Sequence, residues 1–239
     1  MSPLNAKDQV VQKIKSKGYW EVNIRPVTYS EQRVEKRNLK ELVRSSKVEL
    51  RGWDYPHFRD SGGEPYPIQT GIEKFIDWSN NIEFWRMTQS ANFFHLLALE
   101  EDWMELADSR PVSRHHLKNE KWLGVLGTLY TLTEIYEFAK RLALHNVFDD
   151  SMIIDIKLID LENRKLLVES FDRVPLYDKV AKVSAPWEFT KEILVAEVLS
   201  KSAQFALDAF ADLVFLFDWV NVPIDSIKND QQKFLQGRI

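Results

Sequence analysis

The 239-residue chain contains no cysteine, which removes disulfides, thiolate metal sites, iron–sulfur clusters and cysteine nucleophiles together. That absence suits a reducing compartment. The opening segment Met1-Ser2-Pro3-Leu4-Asn5-Ala6-Lys7-Asp8 also lacks the apolar run of a secretory signal, so the expected location is the cytoplasm. Long hydrophobic runs are missing too: the most apolar late stretch, residues 213–217, stops at Asp218, far short of the roughly 20 residues that span a bilayer. No membrane contact is expected. Glycines number only 8 and are scattered, with neither a G-x-G-x-x-G turn nor a Gly-rich Lys-Ser/Thr loop, which disfavours Rossmann and P-loop nucleotide sites. The five histidines, His57, His95, His115, His116 and His145, show no His-Glu-x-x-His and no pairing that a helix would turn into ligands. Neither a metal nor a cofactor is therefore expected.

What the chain does have is 44% hydrophobic, 12% aromatic and 28% charged residues, the proportions of a globular protein able to bury a large core. The net charge of -4 is unevenly spread. Residues 1–59 carry 13 basic against 7 acidic side chains, a balance of +6, so the remainder carries -10. A basic segment of this kind can serve nucleic acid or an acidic partner, although charged side chains also cover any ordinary helix.

The hydrophobic period changes along the chain. Residues 9–17 suggest a short amphipathic helix, 19–27 alternate like a strand that Pro26 ends or pushes to an edge, and Ser30-Glu31 opens a polar helix through Leu39, Leu42 and Val43. Residues 48–53 alternate again. Aromatic-rich runs at 72–78, 82–87 and 93–99, separated by polar turns, read as successive antiparallel strands. A polar stretch at 108–116 is the candidate linker, and helical spacing follows from Leu123 to Leu142. Residues 152–161 and 165–171 read as a hairpin around 162–164, and a last helix, from about Lys191 to Trp219, carries its charges on one narrow stripe and should be buried on most of its circumference. The expected fold is α+β: an aromatic-rich antiparallel sheet packed against long helices from the C-terminal half, in a single domain over 1–239 with a possible subdivision near 108–121.

The most conspicuous segment is 51–67, which gathers three of the 9 prolines, three of the 8 glycines, several aromatics and two arginines. Its candidate binding residues are Arg51, Tyr55, His57 and Arg59, of which Tyr55, His57 and Arg59 are expected to face outward. Alternation from the preceding residues leaves Trp53 as an internal anchor once the chain turns at Gly52. Aromatic stacking with arginines alongside is also how unpaired bases are gripped. A hydrolytic reading, His57 oriented by Asp54 or Glu64 with Ser61 as nucleophile, lacks the flanking pattern of a nucleophile elbow.

Asp155-Ile156-Lys157, following a helix with Glu134 and Glu137, is similar to the acidic-x-lysine step of restriction-type nucleases and implies a divalent-cation site there. It departs from that pattern in its preceding aspartates, Asp149 and Asp150, which fall at a loop, and alternation alone would turn Asp155 and Lys157 toward solvent. Of the eight tryptophans, Trp103 and Trp187 stand in polar or broken context and are the expected exposed ones. With no assembled catalytic constellation, the leading expectation is a non-catalytic cytoplasmic binding or adaptor protein that meets a protein partner through the 51–67 loop. The alternative is a nucleic-acid binder or metal-dependent nuclease using residues 1–59 and Asp155/Lys157.

Overall fold

A computed structural model describes residues 3–59, 63–104, 120–169, 176 and 178–238. The candidate linker at 108–116, with His115 and His116, lies outside the described residues, as do Ser61 and most of the expected subdivision at 108–121.

Helix α1 (Pro3–Lys15) leads into strand β1 (Tyr19–Pro26), and a 3-10 turn (Lys36–Asn38) opens helix α2 (Leu39–Ser46). Strands β2 (Tyr66–Ile68), β3 (Gly71–Trp78), β4 (Asn81–Thr88) and β5 (Phe93–Ala98) follow as an aromatic-rich meander that ends in a single turn, α3 (Glu100–Trp103). The second half contributes β6 (Trp122–Gly124), α4 (Val125–Ala143), β7 (Ser151–Ile159), β8 (Lys165–Leu167), β9 (Trp187–Leu194), α5 (Val195–Phe215) and α6 (Ile224–Leu235). Seven strands form one antiparallel sheet in the order β2-β3-β4-β5-β1-β7-β9. The fold is α+β, with long helices from the C-terminal half packed on the sheet.

Strand alternation sorts side chains into two layers. Along β4, Trp85 and Met87 join Val22 and Ile24 of β1 and Phe93 of β5 in the main core, roofed by α2, α4 and α5. Ile82 and Phe84 face the other way, with Leu96 and Ala98, and pack under Val10 and Ile14 of α1. Both faces of the central strands are thus covered, which is why residues 82–85 are buried in an unbroken run.

The structure departs from the sequence reading in several places. Residues 165–167 do not fold back on β7; they pair in parallel with β6. The turn between them has Asp160 and Asn163 in left-handed conformation (φ 69 and 61) and the fully buried Arg164, whose guanidinium donates to Asp102 and to the Trp122 carbonyl, drawing the chain away. Residues 191–194 belong to the edge strand β9, where Trp187, Phe189, Lys191 and Ile193 share one face. Helix α5 begins only at Val195, and its burial is one-sided, along Val198, Ser202, Ala206, Leu207, Phe210 and Leu213, with Phe215 exposed. Helix α2 starts eight residues later than Glu31, at Leu39. Trp187 is buried at 3% exposure, and the exposed tryptophan is Trp78 at the end of β3.

Candidate functional site

No strand forms over 48–53. Gly52 takes φ +76, a conformation open to glycine, and the chain doubles back so that the backbones of Val48 and Tyr55 pair through two 2.8 Å hydrogen bonds. This reversal turns the loop over relative to its expected orientation. Tyr55 is carried into the core, 4% exposed, with its ring 5.0 Å from that of His95. Arg51 also turns inward: its guanidinium donates to both carboxylate oxygens of Glu134 on α4, at 3.2 and 2.5 Å, and to Thr131 Oγ1 at 3.0 Å. Burial opposes the Arg51 charge, but the Glu134 carboxylate outweighs it and holds the guanidinium protonated.

Trp53 sits at the loop tip, partly exposed and stacked between the His57 ring at 3.8 Å and the outward-facing Trp78 at 5.4 Å. His57 Nδ1 lies 2.5 Å from Asp54 Oδ1, and its carbonyl accepts from Trp85 Nε1 at 2.9 Å. Against the burial that would raise it, the Asp54 carboxyl is held at about 2 by His57 and Lys47. Of the four loop residues singled out from the sequence, Arg59 alone is exposed.

The inward side of this loop is one wall of a cavity of about 730 Å³. The sheet supplies the next wall, because alternation along β4 and β5 points Glu83 and Leu97 toward the helices. Glu83 Oε2 and His95 Nε2 are 2.7 Å apart, both buried. Helix α4 closes the third side with Gly127, Thr128, Thr131 and Glu134, which recur at helical spacing. Trp20, Trp122 and Tyr130 complete an aromatic lining.

The start of α4 has no side-chain cap from its own N-cap residue, Gly124. Its unpaired amides are met from afar: Glu169 accepts from Leu126 and Gly127 at 2.9 and 3.0 Å, and Glu101 accepts from Gly124 at 3.0 Å. A Cβ on Gly124 would stand 2.1 Å from Glu169 Oε1 and 3.1 Å from Glu101 Oε1, so any larger residue there would displace the Glu169 carboxylate from the start of α4. Burial pushes the Glu101 carboxyl up to about 7, helped by Glu169 and Glu100 and opposed by the Gly124 amide. Glu169 and Glu134 are raised as well, both mainly by burial.

Three polar atoms of residues lining this cavity are buried with no hydrogen-bond partner: Tyr55 Oη, Glu83 Oε1 and Thr128 Oγ1.

The other sequence candidates are not brought together. Asp155 and Lys157 lie on the face of β7 opposite Ile154, Ile156 and Leu158, which are fully buried, and they pair with Thr190 and Glu188 of the edge strand. Glu134 and Glu137 are buried among the helices on the other side, so no nuclease constellation assembles. Among the described residues, no group of three or more His, Asp or Glu side chains is placed to hold a metal ion. The basic residues of the first segment are spread over α1, on one face of the sheet, α2, on the other, and the stretches outside them, and many are paired, as in Lys13–Asp77, Arg33–Asp149 and Arg44–Glu64. Among the described residues no helix is long and apolar enough to cross a membrane.

Comparison with known proteins supplies no relative: no family model matches the chain, and neither a curated protein nor a solved structure is significantly similar to it.

Proposed function

We propose that the protein is a non-catalytic binding protein whose ligand is a small polar organic molecule, held between the 51–55 loop, the ends of β4 and β5, and the first turns of α4. The observation that carries this reading is the cavity of about 730 Å³, large enough for such a molecule and lined by polar side chains of the loop, the sheet and α4, Asp54, Glu83 and Thr128 among them. Binding is favoured over turnover because Glu101 and Glu169 are engaged with backbone amides of α4 rather than with a nucleophile or a second acid–base group. Residue Gly127 allows a test, since a Cβ there meets Glu169 Oε1 only at 3.4 Å and a longer side chain would extend into the cavity. Native mass spectrometry of the protein incubated with a mixture of metabolites should show a small adduct on the wild type and none on Gly127→Leu, both folded by circular dichroism. An adduct retained by Gly127→Leu would place the ligand elsewhere.

A second reading keeps the loop as a contact for a protein partner. It is favoured by the stack His57–Trp53–Trp78, which ends at an exposed indole, and by the exposure of Arg59 in the same loop. Trp78→Ala would then abolish the partner contact while leaving the small-molecule adduct intact.

A further inference from the structure

We infer that two copies of the chain associate as a symmetric dimer through the outer face of β1, β7 and β9. On the side of the sheet away from α4 and α5, α1 packs over β3, β4 and β5. Among the described residues no helix packs on that face where β1 ends and β7 begins, and Val27 and Leu194 are 40% and 52% exposed there. Strand register fixes what this end of the face presents. Arg25 is paired with Ile153 and Ile153 with Glu192, so the three side chains stand in one row across the sheet, pointing away from the buried Ile24, Met152, Ile154 and Ile193.

The row reads cation, hydrocarbon, anion. Strands lie about 4.8 Å apart, which sets the Arg25 and Glu192 backbones roughly 10 Å from each other with Ile153 between them. Among the described residues neither charge has an ion-pair partner. The next two rows differ, because Asp155 accepts from Thr190 at 2.7 Å and Lys157 donates to Glu188 at 2.9 Å. A partner for the free row must therefore offer anion, hydrocarbon and cation in matching order, and a uniformly acidic or basic surface would satisfy one end while repelling the other. A second copy fits once it is turned over about a two-fold axis running along β7. Arg25 then meets the partner's Glu192 on one side of the axis, Glu192 meets the partner's Arg25 on the other, and the two Ile153 side chains meet at the centre. The same axis sets Asp155 against its own copy, so the contact closes over this end of the face only. Three strand ends bury on the order of half the ~800 Å² per partner of a standard interface, which makes the dimer a weak one.

Sedimentation equilibrium of the full chain, at concentrations up to roughly 1 mM, should show a monomer and dimer in exchange, with the dimer weakened by added salt. Arg25→Glu leaves two acids in the row and Glu192→Arg two bases, so each variant alone should dimerise at least about tenfold more weakly than the wild type. Their equimolar mixture should recover the wild-type affinity, because the two altered rows complement each other, and a misfolded variant could not give that recovery. A wild type that stays monomeric over the whole range overturns the dimer. A dimer that both single variants retain, or a mixture that stays monomeric, overturns the assignment to this face.

Discussion

Arg51 and Glu134 stand or fall together. Glu134 is 1% exposed, and the Arg51 guanidinium is its only paired cation among the described residues. Removing the arginine leaves a buried carboxylate without compensation, so Arg51→Ala should destabilise the fold by about 3–5 kcal/mol, and adding Glu134→Gln should recover most of that. Urea denaturation of the two variants measures both values. Glu101 carries the opposite sign. Its carboxyl is raised from 4.5 to about 7, so the folded protein holds a proton that the unfolded chain has released. The folded state is therefore favoured below pH 4.5, loses stability as pH rises toward 7, and has lost on the order of 3 kcal/mol above it. Glu101→Gln keeps an acceptor for the Gly124 amide and removes the titration, so its urea midpoint should exceed that of the wild type at pH 8 and converge with it near pH 5. A wild-type-like decline in the variant would assign the loss to other groups. At this scale the sequence identified Arg51 and Tyr55 as special but had the direction of Tyr55 wrong. Alternation predicts orientation only while a strand continues, and at Gly52 the chain reverses; Trp53 takes the partly exposed place expected for Tyr55, and Tyr55 takes the internal one expected for Trp53.

Among the elements, the meander β3-β4-β5 was legible because aromatic and β-branched residues over three short runs, divided by polar turns, have few other solutions. Helix α4 was legible from its spacing. The expected hairpin at 152–171 failed because one buried side chain, Arg164, bonded to Asp102 some sixty residues earlier, overrides local alternation. No window of sequence contains both partners. The start of α5 failed for a related reason: Trp187 to Leu194 has a period of two, but its apolar positions run without a break into a helical period, and pairing with β7 decides where one ends. Helix α5 also gives the sharpest packing test. Phe210 is fully buried whereas Phe205 is only partly so, although both lie on the helix expected to be buried on most of its circumference. Phe210→Ala should cost about 3–5 kcal/mol and Phe205→Ala roughly half as much or less, in chemical denaturation. Equal losses would mean that α5 is more enclosed than its exposed Phe215 implies.

The cavity belongs to the whole molecule. Its carboxylates come from the 51–55 loop, β4, α3, α4 and the segment after β8, so that Glu83, Glu101, Glu134 and Glu169 are each separated by 18 to 35 residues in the chain. Composition records them only as part of the -10 carried by residues 60–239, indistinguishable from surface charge. The nearest signal was Glu100-Glu101-Asp102-Trp103, singled out for its tryptophan, whereas the chemistry lies in Glu101, which meets α4, and in Asp102, which holds Arg164. The most direct measurement of the site is a titration with the metabolite identified from the mass-spectrometric adduct, followed by the indole N–H resonances of the 8 tryptophans in a nitrogen-15 correlation spectrum. Trp20, Trp53 and Trp122 line the cavity, while Trp219 packs against Phe210 on α5. The indole signals of Trp20, Trp53 and Trp122 should move in a saturable way while that of Trp219 stays in place. Saturable movement of Trp219 with the other three unchanged would contradict the assignment of the cavity as the ligand site.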